Sequence, residues 1–119
     1  MERIDLAGKL DRIPEPWRPR IVGRVNDTDL KLAKLDGAFD WHAHPEEDEA
    51  FLVIAGQLRI EFRDRSVDLG PGDLCVVPRG VEHRPVADAG EAHVLLIEPA
   101  GTRNTGDRVT DRTVEAEWI

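Results

Sequence analysis

The sequence predicts an all-β domain, a sandwich or barrel of short strands with a helical lead-in. Three observations predict it. Short apolar or alternating runs recur along the chain from about Ile21. Turn chemistry separates them, at Asn26-Asp27, Asp36-Gly37, Gly56, Arg63-Asp64, Gly70-Pro71-Gly72, Arg79-Gly80 and Asp88-Ala89-Gly90. Many short strands with Gly and Pro between them read as a sandwich or barrel. Finally, 119 residues that are 40% hydrophobic and 34% charged have the length of one domain and a globular composition.

Residues 1–19 are the lead-in. Ile4, Leu6, Leu10 and Ile13 recur at loosely helical spacing, which predicts a short amphipathic helix between Met1 and Ile13. Pro14, Pro16 and Pro19 stop it and force an extended crossing, with Trp17 among them as a packing anchor. Residues 20–99 form the barrel. Strands are expected over Arg20–Val25, Leu30–Leu35, Ala38–His42, Glu49–Ala55 and Leu58–Phe62. Further strands are expected over Ser66–Leu69, Asp73–Val77, Glu82–Val86 and Ala92–Ile97. The runs Ala50–Ala55 and Val94–Ile97 are apolar on both faces, where a half-exposed strand would alternate. They need a second cover, from the lead-in or from another subunit, and a homodimer is favoured. Residues 100–119 are a tail, polar until Val114 and Trp118, with a turn at Asn104–Asp107 and its end docked on the body.

Composition removes several function classes. The net charge is −8, so no basic face is expected for nucleic acid or an anionic membrane. No run approaches the ~20 consecutive apolar residues of a membrane-spanning helix. Charges fall in every turn of the first residues, unlike a signal peptide. The single cysteine, Cys75, allows no internal disulfide, which fits a reducing cytosol and a cytoplasmic protein.

The chemistry lies in two stretches. The first runs from Gly37 to Gly56 and holds His42, His44 and Glu49. Residues i and i+2 of a strand share a face, so the two imidazoles can converge on one metal ion. Pro45 ends that strand, and a hairpin return brings Glu49 opposite the histidines. Glu49 is preferred over Glu46, Glu47 and Asp48 because it shares parity with Phe51, Val53 and Ala55, on the interior face. The second stretch runs from Gly72 through the turn Pro78-Arg79-Gly80 to His83. Three imidazoles and one carboxylate make a mixed N/O site for a divalent transition ion.

In these residues the sequence resembles the cupin superfamily. The first cupin motif is matched by Gly37, His42-x-His44, Glu49 and Gly56, and the second by Gly72, Pro78-x-Gly80 and His83. The spacer from Gly37 to His42 is one residue shorter than usual, and Ala87 stands where the motif closes on Asn. Outside the motifs, the chain is similar to small single-domain bacterial cupins, a group often named mannose-6-phosphate isomerase by similarity. The resemblance implies a single jelly-roll β-barrel with the metal held inside by His42, His44, Glu49 and His83.

The remaining chemical groups are less placed. Asp40 shares parity with His42 and faces either the cavity mouth or the rim, and Trp41 faces the other way. Asp40 and His93 are the candidates for a proton-transferring base, although His93 sits in a run whose parity does not orient it. Cys75 reads as a small buried hydrophobe. Arg59, Arg63, Arg65, Arg79 and Arg84 are dispersed, and one at the mouth would bind a carboxylate or phosphate. Four protein ligands leave two open positions on a six-coordinate ion of Fe, Mn, Ni, Zn or Cu. Two enzyme chemistries follow for a small-molecule ligand: isomerisation of a sugar-phosphate-like compound through a metal-steadied enediolate, or dioxygenation of an enol or catechol-like compound. A sensor or binding module without turnover is the alternative from another class.

Overall fold

The computed structural model describes residues 1–119. The lead-in holds one helix, α1 (Leu6–Leu10), shorter than the Met1–Ile13 expected. Eight strands follow: β1 (Arg20–Val25), β2 (Thr28–Ala38), β3 (Glu49–Ala55), β4 (Leu58–Phe62), β5 (Ser66–Leu69), β6 (Leu74–Val77), β7 (His83–Pro99) and β8 (Glu117–Trp118). All ladders are antiparallel except that of β8 on β1. The strands wrap as a jelly roll. No ladder joins β5 to β6, so pairing does not close the shell there. No helix is long and apolar enough to cross a membrane.

β7 organises the rest. One edge pairs with β2 along Val86–Pro99, while the other pairs with β4 over His83–Val86 and with β3 over His93–Ile97. The sequence reading splits this 17-residue strand into two at Asp88-Ala89-Gly90. Instead the strand continues through, bending where Gly90 takes a φ of +97°. Likewise, Asp36-Gly37 is a bulge within β2 rather than its end.

The expected strand Ala38–His42 does not form. β2 stops at Ala38, and beyond it only Phe39 N–H to the Pro85 carbonyl and a single bridge between His42 and His83 continue the pairing. Pro85 has no N–H to return, so the ladder cannot close across it.

Inside the shell, Ala33, Leu35, Phe51, Val53, Leu58, Ile60, Val94 and Leu96 form the main core. The outer face has its own cover. Leu10 and Ile13 of the lead-in pack with Val22 and Leu32, and Ile54 and Leu95 rest against them. The lead-in therefore supplies part of the second cover that the two-sided apolar runs demand. Leu74 and Val76 of β6 remain exposed.

The turn from β3 to β4 depends on Gly56. Its φ is +81°, and a Cβ there would lie 2.6 Å from the Glu91 carbonyl oxygen. Gly37, at +79°, has open space around it. Gly37→Ala is therefore expected to cost only the left-handed backbone term, about 1–2 kcal/mol. Gly56→Ala adds a backbone clash and should cost about 2–5 kcal/mol. Urea unfolding of the two variants checks this, and equal midpoints would contradict it.

Candidate metal centre

Four buried side chains meet at one end of the shell. Glu49 and His83 open β3 and β7, and His42 and His44 stand on the irregular segment after β2. One ligand atom from each lies within 4.8 Å of the others. His42 holds this position through its backbone bridge to His83, with N–H···O distances of 3.0 and 2.9 Å. The His44 carbonyl accepts from Gly80 N–H at 2.8 Å, which ties the segment to the Pro78–Gly80 turn. Asp48 belongs to the same fastening, accepting from Arg79 N–H at 2.8 Å, so it latches the loop while Glu49 points inward.

Ring orientation is set from behind. The Nδ1 of His42 lies 2.8 Å from the Asp40 carbonyl, and that of His83 lies 2.9 Å from the Val81 carbonyl. With Nδ1–H donating to those carbonyls, each Nε2 lone pair is free for an ion. His44 Nε2 and His83 Nε2 stand 3.4 and 3.5 Å from Glu49 Oε1. Both His44 nitrogens, His83 Nε2 and Glu49 Oε1 are buried without a hydrogen-bond partner. Each such group costs about 1–3 kcal/mol if left unmet. Native proteins leave only a few per hundred residues, and here four share one cluster. Three imidazoles and a carboxylate suit a divalent transition ion, which would take one nitrogen of each ring and the Glu49 carboxylate. The residues therefore fit a metal.

A cavity adjoins the cluster. His42, Glu49, Phe51 and Glu98 line it, with Trp17 and Phe39. Trp17 has a left-handed φ of 65°, unfavourable for an aromatic residue. Its backbone N–H bond to the Lys34 carbonyl at 2.8 Å, its Nε1–H bond to the Asp36 carbonyl at 2.9 Å and a stack on Phe39 at 4.8 Å offset that. It is thus the packing anchor expected, and a cavity wall as well.

Glu98 was not anticipated. It continues the inward parity of Val94 and Leu96 and is buried, with Lys31 Nζ at 2.9 Å from its Oε1. Lys31 has the inward parity of Ala33 and Leu35. The signal was present in both strands, as a charged residue at the end of an interior row. Burial, then the neighbouring Glu49 charge, pushes the Glu98 carboxyl well above the ordinary range, and Lys31 pulls it back without cancelling the rise. Burial works against the Glu49 carboxylate too, but the polar groups of Glu98, His44 and His83 close around it outweigh that and hold Glu49 low. Glu49 is the ionised member of the pair, as a metal ligand must be.

The other candidates lie elsewhere. His93 is on the outward side of β7, its Nε2 2.8 Å from Glu91 Oε1. Asp40 turns its carboxylate to the tail, accepting from Thr110 Oγ1 at 3.0 Å, while its carbonyl steadies His42. Trp41 lies beneath the guanidinium of Arg63 at 3.8 Å. Cys75 is half-buried on β6, and burial pushes its thiol up, away from nucleophilic use. None of Arg59, Arg63, Arg65, Arg79 and Arg84 lines the cavity.

A jelly roll with three histidines and a glutamate gathered at one end is the architecture of a metal-binding cupin. The model of the Cupin_2 family, described as a cupin domain, matches residues 31–98, and the chain belongs to that family. It is similar to a cupin-2 domain containing protein from Shewanella frigidimarina, with 41% identity and a TM-score of 0.78 over 81% of this chain and 93% of that one. It is also similar to protein NMB1881 from Neisseria meningitidis, with 33% identity and a TM-score of 0.76 over 83% of this chain and all of that one. Uncharacterized protein YdbB of Bacillus subtilis is 41% identical over 64 residues, 53% of this chain and 57% of that protein. The chain spans about half the length of the curated relatives it matches.

Burial, and then the neighbouring His83, pushes His42 down to about 4 in the metal-free protein. The unfolded chain takes up this proton near the ordinary histidine value of about 6.5. Between those values the unfolded state binds more protons, so the metal-free protein should lose stability as pH falls from about 6.5 to about 4. Below that window this group adds no further loss. An NMR titration of the His42 ring in stripped protein should give a midpoint near 4. A midpoint at the ordinary value would contradict the burial argument.

Proposed function

We propose that the protein is a metal-dependent enzyme that moves a proton between neighbouring carbons of a small hydroxycarbonyl compound, an isomerase in the broad sense. The observation that carries this reading is Glu98, which with Glu49 makes up the carboxyl groups lining the cavity. With Glu49 given to the ion, Glu98 is the cavity carboxyl left for acid–base work. Proton transfer between two carbons needs such a group to carry the proton from one to the other.

A divalent ion held by His42, His44, Glu49 and His83 would supply Lewis acidity to a carbonyl oxygen and so acidify the adjacent C–H. The chain does the rest. With the Glu49 charge taken up by the ion, Glu98 would ionise against Lys31, accept the proton from one carbon and return it to the next. Lys31, 2.9 Å from Glu98 Oε1, stabilises the carboxylate while the proton is away. Phe39, Phe51 and Trp17 form apolar walls that limit water around the reacting carbons. No Lys or Arg lines the cavity, so the ion would be the cation there that meets the substrate.

The test uses metal-loaded protein with small hydroxyaldehydes and sugars in D₂O, followed by proton NMR. Deuterium should enter the carbon beside the carbonyl. Glu98→Gln, which keeps the shape but not the acid, should lower that rate by about 10²–10⁴-fold with metal content unchanged. Oxygen uptake on an enol or catechol that is indifferent to Glu98→Gln would overturn the reading in favour of a dioxygenase. Tight ligand retention with no exchange would favour a binding protein.

A further inference from the structure

We infer that the C-terminal tail, from Gly106 to Arg112, is a positioning clamp for the metal centre and sets how tightly His42 and His44 hold their ion. The inference rests on the metal site and not on the chemistry proposed for it.

The segment from Ala38 to Ala43 carries His42 and leads directly to His44, yet it has no strand partner along most of its length, because Pro85 interrupts the ladder. The tail takes the place of that partner. Asp107 grips Ala43 from both sides of the peptide: its backbone N–H donates to the Ala43 carbonyl at 2.8 Å, and its Oδ1 accepts from Ala43 N–H at 3.0 Å. Thr110 Oγ1 donates to Asp40 Oδ2 at 3.0 Å, on the residue whose carbonyl fixes the His42 ring. Arg112 donates to the Ala38 carbonyl at 2.8 Å. The tail thus holds Ala38, Asp40 and Ala43, on both sides of His42.

The fit between tail and histidine is close. Gly106 is buried at a φ of +62°, and a Cβ on it would collide with the Ala43 carbonyl and lie 3.0 Å from Cδ2 of His42. The tail is itself fastened. Thr105, fully buried, donates to the Arg108 carbonyl at 2.5 Å, and Asn104 Nδ2 donates to the Arg112 carbonyl at 2.8 Å. Nothing in this tail lies in the main hydrophobic core. Loosening it should therefore reach the imidazoles before it reaches the barrel.

Asp107→Ala removes the carboxylate grip, and Asp107→Asn restores an acceptor at the same atom. Both are loaded with Co²⁺, whose visible absorption reports coordination geometry. Asp107→Ala should bind Co²⁺ about 10–100-fold more weakly, in the range typical of lost support behind a ligand, and with an altered spectrum. The metal-free protein should melt close to wild type. Asp107→Asn should return both the affinity and the spectrum towards wild type. Gly106→Ala approaches from the steric side and should also weaken Co²⁺ binding. If Asp107→Ala binds Co²⁺ with wild-type affinity and spectrum, or if Asp107→Asn is as impaired as Asp107→Ala, the clamp is refuted. If wild-type protein takes up no Co²⁺, it is the metal site itself that fails.

Discussion

Polar atoms buried without partners are costly, and at one end of this shell several lie together with no protein group to pair with them. Both His44 nitrogens, His83 Nε2 and Glu49 Oε1 are shut from water, and one ligand atom from each of these residues and from His42 lies within 4.8 Å of the others. Without an ion this end of the shell would combine several unmet hydrogen bonds with a carboxylate in a poorly solvating place. An ion joined to one atom each of His42, His44, Glu49 and His83 would reverse the sign of that arrangement. Much of the surrounding structure serves to bring the donors there. β3 and β7 present Glu49 and His83 at their first residues, and the carbonyls of Asp40 and Val81 turn two rings to aim Nε2 inward.

A proline shapes the other half of the site. A continuous strand through residues 39–44 would align the histidines by ladder bonds, but Pro85 leaves that ladder incomplete. The segment is held instead by three separate devices: the bridge to His83, the Gly80 bond to His44 and the tail through Asp107, Thr110 and Arg112. Coordination geometry thus depends on parts of the chain far apart in sequence. The barrel core is packed independently, around Phe51, Val53, Ile60 and Val94.

This division explains what the sequence revealed. Period-two parity placed Glu49 inward with Phe51 and Val53, and the bounds of β3, β4 and β5 follow from turn residues that are local signals. The histidine spacing and the Pro78–Gly80 turn are local as well. Long-range effects were hidden. That Ala38–His42 would lack a ladder depends on Pro85, more than forty positions away in the chain. Asp88-Ala89-Gly90 has the chemistry of a turn and serves as a bend, because β2 continues to pair alongside. Glu98 and Lys31 obey the same parity as their apolar neighbours. They went unread because a run ending in a charge looks like a strand leaving the core, and their mutual pairing joins positions 31 and 98. The tail reads as polar turn chemistry, and only its contact with Ala43 gives it a role.

Every chemical role assigned to this end of the shell requires a cation at the meeting point of His42, His44, Glu49 and His83. Elemental analysis of protein purified without a histidine tag, at neutral pH, addresses this most directly. Close to one divalent transition ion per chain is expected. A ratio near zero, persisting after exposure to excess Mn²⁺, Fe²⁺, Ni²⁺, Cu²⁺ and Zn²⁺, would contradict it.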